Sequence, residues 1–344
     1  MITIATTGGG TAGHVLPSIA LYPELKKHFD RIIHVGGYGI EQDLIPKAGI
    51  KLYCTKNIKF DRKNLFNNLK IPFTLTAATM QAKKILKQEN VSIVFGKGGY
   101  AMLPTIIGAR KLNIPIVIHE SDLHMGLANK LAKRFADLVL TSFPETEGGL
   151  FIGNPIRESI FNGNKEKVIR SLGLDRNKRT ILFFGGSSGA EAINSVVFKI
   201  AKDLVAKLNV IHILGKREKR RLFLNGYHPL SYCDTIEDLY AISDVIVMRG
   251  GANSLQEATM LGKRIICIPL PKSKYSRGDQ IDNAISYAKR GLIDLLPQEE
   301  LNEEKLKEMI YSSLNKKEHP VNRDTPNKAI VKKILEVLNQ SQRS

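Results

Sequence analysis

Short apolar, β-branched runs alternate with longer amphipathic segments along most of the 344-residue chain. The short runs predict strands and the segments between them predict helices. In the first half the predicted strands are Ile2–Ala5, Arg31–Val35, Lys51–Cys54, Ser92–Phe95, Ile114–Ile118 and Leu138–Thr141, and the predicted helices are Ser18–His28, Phe73–Gln88, Pro104–Leu112 and Leu127–Phe135. This alternation is typical of a parallel sheet covered by helices on both faces.

The same alternation of predicted strands and helices begins again in the second half of the chain. Its predicted strands are Thr180–Phe184, Val210–Leu214, Val245–Met248, Arg264–Pro269 and Leu292–Leu295. Glycine and proline interrupt the pattern at Gly153-Asn154-Pro155, which marks a domain join. The sequence therefore predicts an α/β protein of two Rossmann-like domains, residues 1–155 and 156–325. An amphipathic segment at 326–344 is expected to return to the first domain.

The composition narrows the class of protein. A net charge of +18 favours polyanionic partners such as phosphorylated substrates or an anionic membrane. No zinc-finger or RNA-binding signature accompanies that charge, so we expect no nucleic acid partner. Cys54, Cys233 and Cys267 are scattered, which is typical of a reducing compartment. No apolar run reaches the roughly 18 residues needed to cross a bilayer, and no signal peptide pattern precedes the first strand.

The most informative segment, Thr6 to His14, is a glycine loop between a predicted strand and a helix. Gly8, Gly10 and Gly13 match the dinucleotide pattern G-x-G-x-x-G. Such a site also needs an acidic residue at the end of the second strand, and the first acid after that strand, Glu41, lies past the turn. Dinucleotide binding is therefore disfavoured. The loop can still present backbone N–H groups to a phosphate, with an imidazole beside it.

A second polar loop follows the strand Val245–Met248. Residues 249–254 end in Asn253-Ser254 and lead into a helix that carries Glu257. This pattern suits a diphosphate at the helix N-terminus and a carboxylate on ribose hydroxyls, or an ordinary capped helix. Gln280 and Asn283 lie three apart on the next predicted helix, so their amides share a face that suits sugar hydroxyls or simply caps the helix.

Several segments together resemble the MurG family over nearly the whole chain. They are Gly9-Gly10-Thr11-Ala12-Gly13-His14, Gly96-Lys97-Gly98-Gly99-Tyr100, His119-Glu120, Gly126-Leu127-Ala128-Asn129-Lys130, Gly153-Asn154-Pro155-Ile156-Arg157, Gly185-Gly186-Ser187-Ser188-Gly189, Arg249-Gly250-Gly251-Ala252 with Glu257, and Gly278 to Ala284. The chain departs from the family where Ala12 stands for a frequent glycine and Ser121-Asp122 for the usual Gln-Asn. Because all of these segments occur in the same order as in the family, the resemblance is more specific than a match of any single loop.

The resemblance implies a GT-B glycosyltransferase fold, with two Rossmann-like domains facing an interdomain cleft. It also implies inverting transfer of N-acetylglucosamine from UDP-GlcNAc to the C4 hydroxyl of undecaprenyl-diphospho-MurNAc-pentapeptide (lipid I), which forms lipid II. The implied donor-binding residues are Arg157, Ser187, Ile236, Ala252, Asn253, Ser254, Glu257 and Gln280; the acceptor-side residues are Thr11, Ala12, Gly13, Glu120 and Asp122. His14 is the candidate catalytic base.

We expect no cofactor and no essential metal, because no D-x-D motif occurs. A lipid acceptor implies a peripheral position on the cytoplasmic face of the cell membrane, with other cell-wall or division proteins as further partners. The stretch Lys56 to Lys87 mixes basic and large apolar residues and suits contact with an anionic membrane surface. The alternatives are another UDP-sugar glycolipid transferase, a UDP-GlcNAc 2-epimerase, and a non-catalytic basic protein.

Overall fold

The computed structural model describes residues 1–56, 71–186, 189–273 and 276–342. The chain divides into two compact units: unit 1 comprises Met1–Arg157 and Thr325–Ser344, and unit 2 comprises Glu158–Asp324. Every strand pairing within each sheet is parallel. The predicted α/β class, with a parallel sheet in each half of the chain, is confirmed.

Within the described residues, unit 1 holds a seven-stranded sheet in the order β3-β2-β1-β4-β5-β6-β7. The strands are β1 (Thr3–Thr7), β2 (Arg31–Gly36), β3 (Lys51–Cys54), β4 (Val91–Gly96), β5 (Ile116–Glu120), β6 (Leu138–Thr141) and β7 (Leu150–Phe151). The helices are α1 (Ala12–Leu25), α2 (Glu41–Lys47), α3 (Ile71–Gln88), α4 (Leu103–Arg110), α5 (Leu127–Ala132) and α12 (Asn327–Ser341), with a 3-10 turn at Tyr100–Met102.

Unit 2 holds a six-stranded sheet, again within the described residues, in the order β10-β9-β8-β11-β12-β13. The strands are β8 (Arg179–Phe184), β9 (Leu208–Ile213), β10 (Tyr227–Leu230), β11 (Val245–Met248), β12 (Arg264–Cys267) and β13 (Asp294–Leu295). The helices are α6 (Lys165–Leu172), α7 (Glu191–Val205), α8 (Ile236–Ile242), α9 (Ala252–Met260), α10 (Asp279–Lys289) and α11 (Glu303–Asn315), with 3-10 turns at Glu158–Asn162 and Gln298–Glu300.

Helix α1 differs from its predicted span. It begins at Ala12, directly after the glycine loop, and continues through Pro23 before it ends at Leu25. Pro23 has no backbone N–H and so removes one hydrogen bond of the helix, which ends two residues later. The early start places His14 in the first turn of α1.

The cores of the two units are built from buried aliphatic side chains. In unit 1, one face of the sheet is covered by α3, α4 and α5, with Leu86 and Ile106 fully buried there. The other face packs against α1 and α12, where Leu21 and Ile334 are fully buried. Helix α12 therefore completes the core of unit 1 although it follows unit 2 along the chain. No helix within the described ranges is both long and apolar enough to span a bilayer.

Candidate functional site

Three polar loops of unit 1 follow the carboxyl ends of β1, β4 and β5, which are adjacent in the sheet. They span residues 8–11, 97–99 and 121–126. Ligands of open parallel sheets bind at this edge, outside the carboxyl ends of the strands. The predicted acceptor-side residues Thr11, Ala12 and Gly13 lie at the start of α1 at the same edge.

Glycines allow the first two loops to pack against each other and against His14. Gly98 and Gly99 have φ angles of +94° and +76°, which side-chain-bearing residues rarely adopt. A Cβ at Gly98 would lie 3.0 Å from His14 Nδ1, and one at Gly99 would collide with the carbonyl oxygen of Gly9. The second glycine loop is thus a close-fitting wall for the His14 imidazole.

Glu41 is a buried carboxylate that holds the first glycine loop. It begins α2, and its Oε1 accepts hydrogen bonds at 3.2 Å from the backbone N–H groups of both Gly10 and Gly37. A Cβ at Gly9 would overlap this carboxylate. The chain therefore supplies its own anion to one of the loop donors that a bound dinucleotide would use, which agrees with the weak dinucleotide signal in the sequence.

Lys97 is the first residue of the second loop, and its side chain is fully buried. Its Nζ donates hydrogen bonds to His119 Nδ1 and Asn154 Oδ1, both at 2.8 Å, and to Ser121 Oγ. His119 Nε2 lies 2.8 Å from the carbonyl oxygen of Gly153, so this nitrogen carries the proton and Nδ1 is the acceptor. One amine thus joins the ends of β4 and β5 to the segment at 153–154.

Burial dominates the ionisation of this cluster. Desolvation lowers the pKa of Lys97 to about 7, partly opposed by the negative charges of Glu120 and Asp122. Desolvation and the charge of Lys97 hold the pKa of His119 well below its usual value. The imidazole is therefore neutral at neutral pH, as the hydrogen bond from Lys97 requires.

Glu120, predicted on the acceptor side, is buried and uses both carboxylate oxygens to hold the third loop. Oε1 accepts from the N–H of Asp122 at 3.0 Å, and Oε2 accepts from the N–H of Gly126 at 2.8 Å and from Asn129 Nδ2 at 2.7 Å. These bonds fix the backbone of residues 121–126 and the start of α5. Glu120 shapes the loop, and Asp122 is the more exposed member of the pair.

Unit 2 contains a pocket of about 610 Å³ at the carboxyl ends of β8, β11 and β12. Its lining residues are Gly185, Gly189, Ala190, Glu191, Ala192, Arg249, Leu270, Gln280 and Gln298. Arg249 donates to the carbonyl oxygens of Ile268 and Pro269 at 3.0 and 3.1 Å and to Gln298 Oε1 at 2.7 Å. These bonds hold the walls of the pocket in place.

The start of α10 gives its two amides different roles. Gln280 lines the pocket, and its Oε1 accepts from the N–H of Leu270 at 3.0 Å, so its amide NH₂ remains the donor end. Asn283 is fully buried and donates to the carbonyl oxygen of Gly250 at 3.3 Å. The sequence predicted that both amides share one face, either for sugar hydroxyls or as part of a capped helix start. Of the two, Gln280 lines the pocket, and Asn283 supports the glycine turn.

Helix α9 begins with Gly251 as its N-cap, without a side-chain capping bond, and has no acidic residue in its first turn. The predicted residues Ala252, Asn253 and Ser254 form that turn, and Glu257 lies buried one turn further on. An uncapped helix start of this kind presents N–H groups to an anion. Ile236 likewise begins a helix, α8. Arg157 ends the first segment of unit 1, and Ser187 lies outside the described residues.

The sequence did not single out Glu41, Lys97 or Gln298 as site residues. Glu41 was noted only as an acid too far along the chain for a dinucleotide site, and Lys97 only as a member of a glycine segment. For Glu41 and Lys97 the one available signal was a charged side chain inside or next to a glycine turn, where a buried partner is needed. No such signal marked Gln298.

The sequence models of two domains of one protein family match the two halves of the chain. The glycosyltransferase family 28 N-terminal domain matches residues 4–141, and the C-terminal domain of the same family matches residues 180–338. The loops at the carboxyl edges of both sheets fall within these matches. The fold and these segments therefore define a glycosyltransferase with two Rossmann-like domains, as the sequence predicted.

A relative from Clostridium botulinum (strain Langeland / NCTC 10281 / Type F) is 41% identical over 316 residues, which cover 89% of each chain. It is named UDP-N-acetylglucosamine--N-acetylmuramyl-(pentapeptide) pyrophosphoryl-undecaprenol N-acetylglucosamine transferase. The chain belongs to the MurG family within glycosyltransferase family 28.

Solved structures share the fold at lower identity. The crystal structure of MurG from Acinetobacter baumannii is 24% identical, with a TM-score of 0.72 and 100% of both chains covered. The UDP-GlcNAc 2-epimerase from Neisseria meningitidis bound to UDP-GlcNAc is 15% identical, with a TM-score of 0.65, and covers 98% of this chain and 100% of its own. The fold alone thus suits both activities, and the sequence identity distinguishes them.

Proposed function

We propose that this protein transfers N-acetylglucosamine from UDP-GlcNAc to lipid I, forming lipid II for peptidoglycan synthesis. The observation that carries the proposal is the 41% identity, over 89% of the chain, to a relative named for that reaction. The net charge of +18 suits two substrates that each carry a diphosphate.

The donor belongs to unit 2 in this proposal. The diphosphate of UDP-GlcNAc binds at the first turn of α9, formed by Ala252, Asn253 and Ser254, where the backbone N–H groups and the helix dipole favour negative charge. Glu257 accepts hydrogen bonds from the two ribose hydroxyls. Gln280 offers its amide to the sugar from the wall of the pocket.

The remaining donor contacts concern the nucleotide. Ile236, at the start of α8, offers backbone groups to uracil, while Arg157 and Ser187 contact the nucleotide as the family pattern implies. Two observations support these donor-binding assignments: the positions of the residues within the segments that match the family, and the helix starts described above.

The acceptor belongs to unit 1. The C4 hydroxyl of the acceptor sugar attacks the anomeric carbon, the bond to the diphosphate breaks, and UDP leaves with inversion of configuration. His14 accepts the hydroxyl proton, since it stands between two glycine loops at the sheet edge. The backbone of Thr11 to Gly13 lies beside the acceptor diphosphate, and Glu120 acts by holding the loop that carries Asp122.

The lipid acceptor requires contact with a membrane, and we propose a peripheral position on its cytoplasmic face. Residues 57–70 of the basic-apolar stretch predicted for this contact, Lys56 to Lys87, lie outside the described residues. Of the remainder, Phe73 near the start of α3 is 80% exposed, and Lys84, about three turns further along the same helix, is also exposed. Leu127 and Leu131 on α5 are exposed beside Lys130 and Lys133. Apolar side chains with a basic surround suit an anionic lipid interface.

Labelled UDP-GlcNAc, incubated with the full chain and a lipid I analogue, tests the activity. We expect label in the lipid product and release of UDP. Label transferred to a different glycolipid acceptor would indicate another UDP-sugar transferase, and conversion of UDP-GlcNAc to UDP-ManNAc without acceptor would indicate an epimerase. Either result, or no reaction at all, would refute the proposal.

A further inference from the structure

Unit 2 carries an exposed loop whose composition is not explained by the transfer reaction. It connects β9 to β10 and contains Lys216, Arg217, Lys219, Arg220 and Arg221, all exposed, with Glu218 as its one acidic residue. Phe223 follows and is 89% exposed. We call residues 216–223 the basic-aromatic loop. The loop thus combines five cations and one anion with an exposed phenyl ring.

The acidic residue of the loop is already occupied. Glu218 accepts two side-chain hydrogen bonds from Arg220, at 3.0 and 2.6 Å, and a third from Asn194 at 3.3 Å. The hydrogen bonds from Arg220 hold the pKa of Glu218 low, at about 2. Within the described residues, no ion pair compensates the charges of Lys216, Arg217, Lys219 or Arg221. The loop therefore presents about four positive charges to its surroundings.

The loop is held in place by its own packing. Leu222 and Leu224 pack against the core of unit 2, so Phe223 between them points away from it. Arg220 stacks on the Phe198 ring at 5.0 Å, and Lys216 lies 4.6 Å from the centre of the Tyr232 ring. Phe223 is thus exposed because the packed side chains of Leu222 and Leu224 hold the backbone on either side of it.

We propose that the basic-aromatic loop binds an anionic lipid surface, with Phe223 inserted at the headgroup boundary and the surrounding cations paired with lipid phosphates. The charge of the loop is complementary to such a surface, and each Lys or Arg near it strengthens binding about fivefold at low salt. The phenyl ring of Phe223, 89% exposed and next to cations in the sequence, suits insertion at a fluid lipid interface. This contact is separate from the one proposed for α3 and α5.

The absence of tryptophan from the chain makes the proposal directly testable. In Phe223→Trp the new residue is the only tryptophan and reports on the loop alone. With phosphatidylglycerol vesicles at low salt we expect a blue-shifted emission and quenching by brominated lipids, and neither effect with phosphatidylcholine vesicles. Val321→Trp, at a half-exposed position of unit 2, is the matched control and is expected to show no quenching.

Vesicle sedimentation of charge variants completes the test. The triple variant Lys216→Gln, Arg217→Gln, Lys219→Gln is expected to bind anionic vesicles at low salt about 100-fold more weakly than the unaltered protein. A control triple of equal charge change at the exposed Lys165, Lys202 and Lys289 is expected to lose less. Equal losses in both triples, unaltered Phe223→Trp emission while the protein sediments, or a response to an oligonucleotide but not to vesicles would each overturn the proposal.

Discussion

The Nζ atom of Lys97 lies 2.8 Å from Nδ1 of His119, so a buried amine and a buried imidazole share one hydrogen bond beneath the glycine loops. The same amine reaches Asn154, fifty-seven residues further along the chain. The geometry of the loops therefore depends on the buried amine of Lys97, which is itself a titratable group.

Lys97→Met is expected to change how stability depends on pH. Burial lowers the pKa of Lys97 from 10.5 to about 7, so the unfolded chain binds more protons than the folded protein between these values. The free energy of unfolding of the unaltered protein should therefore rise with pH through this window, by up to about 1.4 kcal/mol per pH unit. Lys97→Met removes that rise, and urea unfolding at pH 7, 8 and 9 measures it.

Lys84→Met is the control for this prediction, because Lys84 is exposed on α3. Its pH dependence should follow that of the unaltered protein. Parallel stability curves for Lys97→Met and the unaltered protein would contradict the assignment of a lowered pKa to the buried amine.

Glu41→Ala is expected to destabilise unit 1 by about 2–4 kcal/mol, because the N–H groups of Gly10 and Gly37 lose their partner. Asp43→Ala on the same helix removes a surface ion pair with Lys47 and should cost less than about 0.5 kcal/mol. Chemical denaturation compares the two variants. Similar losses would show that the carboxylate of Glu41 does not support the loop.

Gly99→Ala tests the contact between the two glycine loops. An added Cβ both strains the backbone at φ +76° and collides with the carbonyl oxygen of Gly9, so we expect about 3 kcal/mol of destabilisation and a large loss of transferase activity. Gly49 has a similar φ of +73° with open space around it. Gly49→Ala should therefore cost about 1 kcal/mol and retain activity; a fully active Gly99→Ala would refute the close contact.

His14→Ala tests the proposed base. We expect turnover at saturating substrates to fall by about 100-fold or more, because the variant removes the imidazole proposed to accept the hydroxyl proton. His28→Ala, at an exposed position just after α1, should leave turnover unchanged. Thermal unfolding of both variants checks that the fold is retained. Unchanged turnover in His14→Ala would end the base hypothesis.

The sequence predicted the strands well where the runs are buried and β-branched. Strand β11, Val245–Met248, was predicted to the residue because all of its side chains are buried. Strand β10 was missed because His228 and Pro229 break the apolar pattern. Proline is tolerated there because β10 lies at the edge of its sheet and pairs only with β9.

The loops of the candidate site were visible in the sequence, but their internal support was not. Glu41 lies thirty-one residues beyond Gly10, and nothing local indicates that its carboxylate turns back to that loop. A lysine is the least expected residue in a core, so the burial of Lys97 could not be predicted from its neighbours. The opposite roles of Gln280 and Asn283 likewise depend on how α10 meets the turn at Gly250.

Helix α12 has a consequence for how the chain folds as it is made. Ile330, Ile334 and Leu338 pack in the same cluster as Ile4 and Leu21, so the first sheet to be synthesised cannot complete the burial of its second face until these late residues leave the ribosome. Unit 2 is continuous and has all of its core before then. Synthesis therefore favours completion of the second unit before the first.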